Sequence, residues 1–179
     1  MFLAAVLVTV SLVSVSTQTF PCKPPSFTAR SLDVINFKIE NIYNDAGRDI
    51  ILREDLNSSR WRLSDNKNLT EYIYNTTNCE RSDFSISEAD GGYKLKHSLD
   101  LPNDTGSYYA WSGSSDDVTL EVLVDNHCIP ISTRIIYDKD LVASIFVTNV
   151  VTDNPDLSQI DARLRQVQNA SFCPHDGWY

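Results

Sequence analysis

Glycine and histidine are scarce in this sequence, with six glycines and three histidines in 179 residues. There is no glycine loop to cradle a phosphate, no G-x-S-x-G nucleophile turn and no H-E-x-x-H metal helix. His97 alternates with apolar residues, as a half-buried structural histidine does, and His127 and His175 lie near cysteines in loop-like surroundings. No catalytic constellation can be assembled, and the chain reads as a binding protein rather than an enzyme.

Basic residues are also few. Fifteen Lys and Arg face 24 Asp and Glu, a net charge of -9. Nucleic acid, whose phosphates demand a basic face, is excluded as a partner, and anionic lipid headgroups are disfavoured. The acid pairs Asp116 with Asp117 and Asp138 with Asp140 carry oxygens that suit a hard cation, although adjacent acids are commonly solvated turns. No metal ligand is assigned, and calcium is the one cofactor left open.

Long apolar runs are absent apart from Phe2 to Val15, which carries no charge and ends at Ser16, Thr17, Gln18 and Thr19. It is shorter than the roughly 20 residues of a membrane span and has the layout of a signal peptide. Residues 1–17 are therefore expected to be a signal peptide and 18–179 a single domain, since about 160 residues suffice for one core but not two. C-x-x-C spacing is missing, which argues against zinc. In an oxidising, exported setting the even set Cys22, Cys79, Cys128 and Cys173 reads as two disulfides with three possible pairings. N-x-S/T sequons at Asn57, Asn68, Asn75, Asn103 and Asn169 mark solvent-facing positions in a secreted, extracellular glycoprotein.

What the sequence has in quantity is period-two alternation, clearest in Ile35 to Glu40, Tyr93 to Leu99 and Val118 to Val124. Further strand candidates are Asp49 to Glu54, Arg60 to Ser64, Glu71 to Tyr74, Asp83 to Ser87, Ser107 to Trp111, Ile129 to Tyr137 and Val142 to Val150. Turns are expected at Asn44 to Gly47, Asp90 to Gly92, Pro102 to Gly106 and Ser112 to Ser115. Short strands joined by turns imply an antiparallel meander. One helix follows Asn154 as N-cap and Pro155, with Leu157, Ile160, Leu164 and Val167 on one face. Apolar and aromatic strand residues exceed what one sheet face needs. They fill either a solid sandwich core or a curved sheet around a cavity for a hydrophobic ligand.

Five segments, in order, carry a family resemblance: Phe20-Pro21-Cys22-Lys23-Pro24-Pro25, Asp55-Leu56-Asn57 leading to Arg60-Trp61-Arg62-Leu63, Asn78-Cys79, Cys128-Ile129-Pro130-Ile131, and Asn154-Pro155-Asp156 before Cys173. Together they resemble the ependymin-related proteins. The chain departs from that pattern in lacking a hairpin's length near Asn66 to Asn75 and a third disulfide. The resemblance implies a mainly β fold of two stacked, curved antiparallel sheets, an open half-barrel or sandwich of the LolA type, with one C-terminal helix. It implies a pocket for a lipid-like ligand, a homodimer in many members, calcium affinity, and a secreted or lysosomal location with matrix or membrane-surface contacts. Following the family's cysteine order, Cys22 pairs with Cys128 and Cys79 with Cys173. The expected pocket residues are Phe37, Leu95, Trp111, Leu120, Val122, Ile135 and Phe146. Competing readings are a lipocalin-like carrier, which lacks its G-x-W here, and a solid-core adhesive glycoprotein with calcium-binding acidic loops.

Overall fold

The structure, a computed structural model, describes residues 23–76, 78–83, 94–100, 107–115 and 118–169. Within them lie β1 (Phe27–Asp33), β2 (Lys38–Asp45), β3 (Ile50–Asp55), β4 (Trp61–Asp65), β5 (Thr70–Tyr74), β6 (Cys79–Asp83), β7 (Lys94–Asp100), β8 (Ser107–Ser115), β9 (Val118–Asp125), β10 (Pro130–Tyr137), β11 (Asp140–Val151) and α1 (Ser158–Asn169). Strand order is β6-β5-β4-β3-β2-β1-β11-β10-β9-β8-β7 in one antiparallel, curved sheet that does not close. Two meanders, β1–β6 and β7–β11, are thus joined where the first strand pairs with the last. The mainly β, open architecture with one C-terminal helix agrees with expectation, and the two meanders form one continuous sheet.

The turns of the first meander share one device. β1, β2, β3 and β4 each end in aspartate, and each carboxylate accepts backbone N–H groups of the turn that follows: Asp33 from Ile35 at 3.0 Å, Asp45 from Gly47 and Arg48 at 3.0 Å, Asp55 from Asn57 at 2.8 Å, and Asp65 from Asn68 at 3.0 Å. Such Asx turns satisfy donors that the reversing chain would leave orphaned. Three of these turns close with a left-handed residue, Phe37 (φ 52), Asp49 (φ 63) and Leu69 (φ 54).

This device corrects two expectations. Ile35 to Phe37 alternate like a strand but lie in the β1–β2 turn, because Asp33 captures the N–H groups of Ile35 and Asn36 before they can pair with a neighbour. Ser112 to Ser115, expected as a turn, continue β8, with Gly113 opposite Leu120. The helix begins at Ser158, later than expected, with the Asp156 carboxylate accepting the Ser158 N–H at 3.0 Å. Asn154 is instead a left-handed residue (φ 50) ahead of it. The expected turns at 90–92 and 102–106 lie outside the described residues.

The helix face read from the sequence is the one buried. Ile160 and Val167, with Leu157 and Leu164, pack on Ile50, Leu52, Trp61, Leu63, Tyr72 and Cys79. At about 1.5–3 kcal/mol for each large side chain fully buried, this cluster is the main store of stability. Arg48 of the β2–β3 turn pairs with Asp161, and Arg163 reaches Glu54 at 2.7 Å while lying over the Trp61 ring at 5.7 Å.

Opposite the helix is a second face, defined by β1: Phe27, Ala29, Ser31 and Asp33 are buried while Arg30 and Leu32 on the helix-side face are exposed. Following the register, this face, called inner only in the sense of lying opposite the helix, continues through Ala143, Trp111 and Val124, all buried.

Asp33 fastens the junction of the meanders. Its carboxylate accepts from the N–H groups of Ile35, Asn36 and Ser144 of β11 and from the Asn36 amide at 2.6 Å, and that amide also donates to the Val142 carbonyl at 3.1 Å. Burial alone would raise the Asp33 pKa, but these donors outweigh it and hold the carboxyl below its usual value. A depressed folded-state pKa stabilises fully above the unfolded value and is lost as pH falls through the folded one. Replacing Asp33 by Ala should therefore cost about 1–3 kcal/mol at neutral pH, measured by urea denaturation. The difference from wild type should shrink below about pH 4. A deficit unchanged between neutral and strongly acidic pH would show that the carboxylate is not the fastening group.

Candidate functional site

The two sides of the sheet are packed differently. On the helix side Leu52 and Leu63 are both 0% exposed, a closed core. That cluster also takes up Trp61, Tyr72 and, at its margin, Tyr74, which stacks on Trp61 with ring centroids 4.9 Å apart. These residues made up much of the aromatic surplus in the sequence, so part of that surplus is ordinary core.

On the inner face of the second meander the packing is looser. Trp111 of β8 lies opposite Val122 of β9, and Leu120 of β9 lies between Gly113 of β8 and Ile135 of β10. Trp111 is buried, whereas Leu120, Val122 and Ile135 remain half-buried and keep part of their apolar surface accessible. Gly113, opposite Leu120, is itself buried. Four of the seven expected pocket residues are thus brought together as one contiguous patch. Leu95 pairs with Trp111 through the backbone, and its side chain lies outside the described residues.

Two expected residues are elsewhere. Phe37 is at the tip of the β1–β2 turn and 82% exposed, far from any strand face. Phe146 is on β11 opposite Leu32 and points to the helix-side face, because its register partner Ser132 has the opposite parity to Ile135. There it lines an outer groove of about 480 Å³ with Trp111 and Val122, which are also among the expected residues, and with Ala110, Leu123, Ser132, Arg134 and Ser144. Arg134 and Glu121 face each other across the rim at 3.9 Å, both well exposed. The groove is lined by more apolar than polar surface, with Arg134 and Glu121 at its edge.

The inner face of the first meander also carries charge that sequence reading did not single out. Arg53 of β3 and Arg62 of β4 are directly opposed. Glu40 pairs with Lys38, and Glu71 lies 3.6 Å from Arg62 and accepts from the Ser64 hydroxyl at 3.1 Å. Burial pushes the Arg53 guanidinium below the ordinary arginine value. The signal for this group was the pair of arginines itself, but only the β3–β4 register sets them side by side.

Asp138 and Asp140 are exposed at the β10–β11 turn, while Asp116 and Asp117 lie outside the described residues. Among the described residues no three His, Cys, Asp or Glu side chains converge on a common point, and no helix is long and apolar enough to cross a membrane. His127 is exposed in the β9–β10 turn, where its backbone N–H donates to Asp125. Of the sequons, Asn57, Asn68, Asn75 and Asn169 are exposed, and Asn103 lies outside the described residues.

No protein-family model matches the sequence, and no curated protein matches it significantly. The fold is similar to that of an uncharacterized conserved protein from Thermus thermophilus, at 14% identity, covering 76% of this chain and 84% of that one with a TM-score of 0.56. PNGF-II is similar at 10% identity over 74% of this chain and 29% of its own, with a TM-score of 0.49. MucB in its complex with MucA(peri) is similar at 14% identity over 85% of this chain and 57% of its own, with a TM-score of 0.39. At such identities the first of these shows a shared fold.

Cys79 and Cys128 are both disulfide-bonded, and the other two cysteines, Cys22 and Cys173, lie outside the described residues. Cys79 is packed in one cluster with Val167 near the end of α1, and Cys173 follows that helix within a few residues of sequence. Non-reducing peptide mapping should therefore link Cys79 to Cys173 and Cys22 to Cys128. Each bridge closes a loop of roughly 100 residues, worth about 4–5 kcal/mol in the chain-entropy picture. A Cys22–Cys79 peptide would contradict the assignment.

Proposed function

We propose that the protein is a secreted, N-glycosylated and non-catalytic carrier of the ependymin-like kind, holding a lipid-like ligand against the inner face of its second meander. The observation that carries this reading is the contrast between faces: leucines with no accessible surface under the helix, and half-buried Leu120, Val122 and Ile135 on the inner face. A solid core would close over such residues as the helix closes over Leu52 and Leu63. Accessible apolar surface is what an alkyl chain needs, at about 0.8 kcal/mol for each methylene removed from water. Secretion is supported by the leader-like start, the even cysteine count and the exposed sequons. A fall in mass when the protein exported by a eukaryotic host is treated with a glycosidase would test it.

The outer groove at Phe146 supports a second reading, in which the ligand lies on the helix-side face. Two variants separate them. Leu120→Asp should abolish uptake of a fluorescent fatty acid, because it places a carboxylate in the apolar patch, whereas Phe146→Asp should leave uptake within about twofold. Circular dichroism would confirm that both remain folded. The reverse pattern would move the ligand to the outer groove, and a wild-type protein that carries no extractable lipid and takes up no probe would leave only an adhesive or structural role.

A further inference from the structure

The inner face of the first meander holds a cation that Glu40 and Glu71 offset only through space, with no direct hydrogen bond or ion pair among the described residues. Arg53 lies opposite Arg62 on one side and Ile42 on the other, and Arg62 in turn lies opposite Ile73. Two like charges facing one another across an antiparallel pair, with Cβ atoms about 5 Å apart, repel and destabilise the sheet. Around them the described acids of that face already have donors. Glu71 is held by Arg62 and Ser64, Glu40 by Lys38, Asp55 by the Asn57 N–H at 2.8 Å, and Glu80 by the Asn78 amide at 2.9 Å. Arg53 makes no hydrogen bond or ion pair among the described residues. It is half-buried, with Ile51 two positions before it on the same face.

We propose that Arg53 is the anchor for the acidic headgroup of a single-chain anionic amphiphile, its guanidinium receiving a carboxylate or phosphate while Ile42, Ile51 and Ile73 provide an apolar surround. Arginine suits this role: its planar fork matches both headgroups, and it keeps its charge where a lysine would readily lose it. Partial desolvation of the guanidinium, with Glu40 and Glu71 only partly offsetting burial and Arg62, raises the gain from a direct anionic partner. This assignment rests on the reading of the protein as a carrier, but places the ligand over the first meander rather than beside Leu120, and narrows it from any lipid-like molecule to an acidic one.

The experiment compares dodecanoate, dodecyl phosphate and uncharged dodecanol, each displacing a neutral polarity-sensitive dye from the full-length secreted protein. Wild type should favour one or both anions over the alcohol by roughly ten- to a hundredfold, the range of a charge-assisted hydrogen-bonded pair. The relative affinity of carboxylate and phosphate identifies the headgroup. Arg53→Met should reduce that preference to less than about twofold while leaving dodecanol binding unchanged, and Arg53→Lys should retain part of it. Ligand-free Arg53→Met should melt no lower than wild type, since it removes a partly desolvated cation that faces Arg62 and has no direct ion pair among the described residues. Equal binding of acid and alcohol by wild type, or a preference that survives in Arg53→Met, would overturn the assignment and leave the carrier reading standing. Failure of all three compounds to bind wild type would instead remove the carrier reading, and the assignment with it.

Discussion

The pairing of β1 with β11 is the constraint on which the rest of the molecule depends. Each meander is built from local antiparallel contacts and could form early, but alone each would expose a long unpaired edge, a standing invitation to aggregation. Joining the first strand to the last removes both of those edges and makes one surface of two. Asp33 is where that junction is fastened, because one carboxylate binds the turn after β1 and the backbone of β11 together. Ser31 and Asp33 are buried along this seam, where an apolar pattern would have been expected. Their polarity is tolerated at Asp33 because its oxygens are occupied by hydrogen-bond donors.

Once the sheet is continuous, its two faces can serve different ends. The helix covers only the first meander's outer side, burying Ile160 and Val167 against leucine, tryptophan and tyrosine at close to full exclusion of water. Its ion pairs, Arg48 with Asp161 and Arg163 with Glu54, are partly exposed and orient the helix more than they stabilise it. With stability concentrated there, the inner face of the second meander is free to be less tightly packed. A protein whose net stability is a small difference between large terms can leave a hydrophobic patch under-filled only if another cluster compensates.

How much of this was legible in the sequence follows from what each signal depends on. The helix face was legible because Leu157, Ile160, Leu164 and Val167 repeat with a local period, and β7 and β9 because their alternation runs uninterrupted. β1 was not, since its buried positions are Phe27, Ala29, Ser31 and Asp33, two of them polar. Phe37 was misplaced for the converse reason: a turn of Ile, Asn and Phe alternates as well as any strand, and only Asp33 ahead of it distinguishes the two. Of the expected pocket residues, Trp111, Leu120, Val122 and Ile135 share one face of the sheet, as alternation within single strand runs had implied. Phe146 needed the cross-strand register, which no single segment contains. Arg53 and Arg62 needed it also.

The recurrence of aspartate at strand ends gives the acidic composition a structural meaning that net charge conceals. Asp33, Asp45, Asp55, Asp65 and Asp125 each close the turn that follows by accepting backbone N–H groups, so these charges are fixed by turn geometry rather than distributed for solubility or gathered for a cation. A carboxylate already bound to two or three donors is a poor partner for a neighbouring guanidinium. The same chemistry that builds the hairpins therefore withdraws acids from the sheet face, and among the described residues Arg53, between Ile42 and Arg62, is left with no direct ion pair in a chain that carries an excess of negative charge.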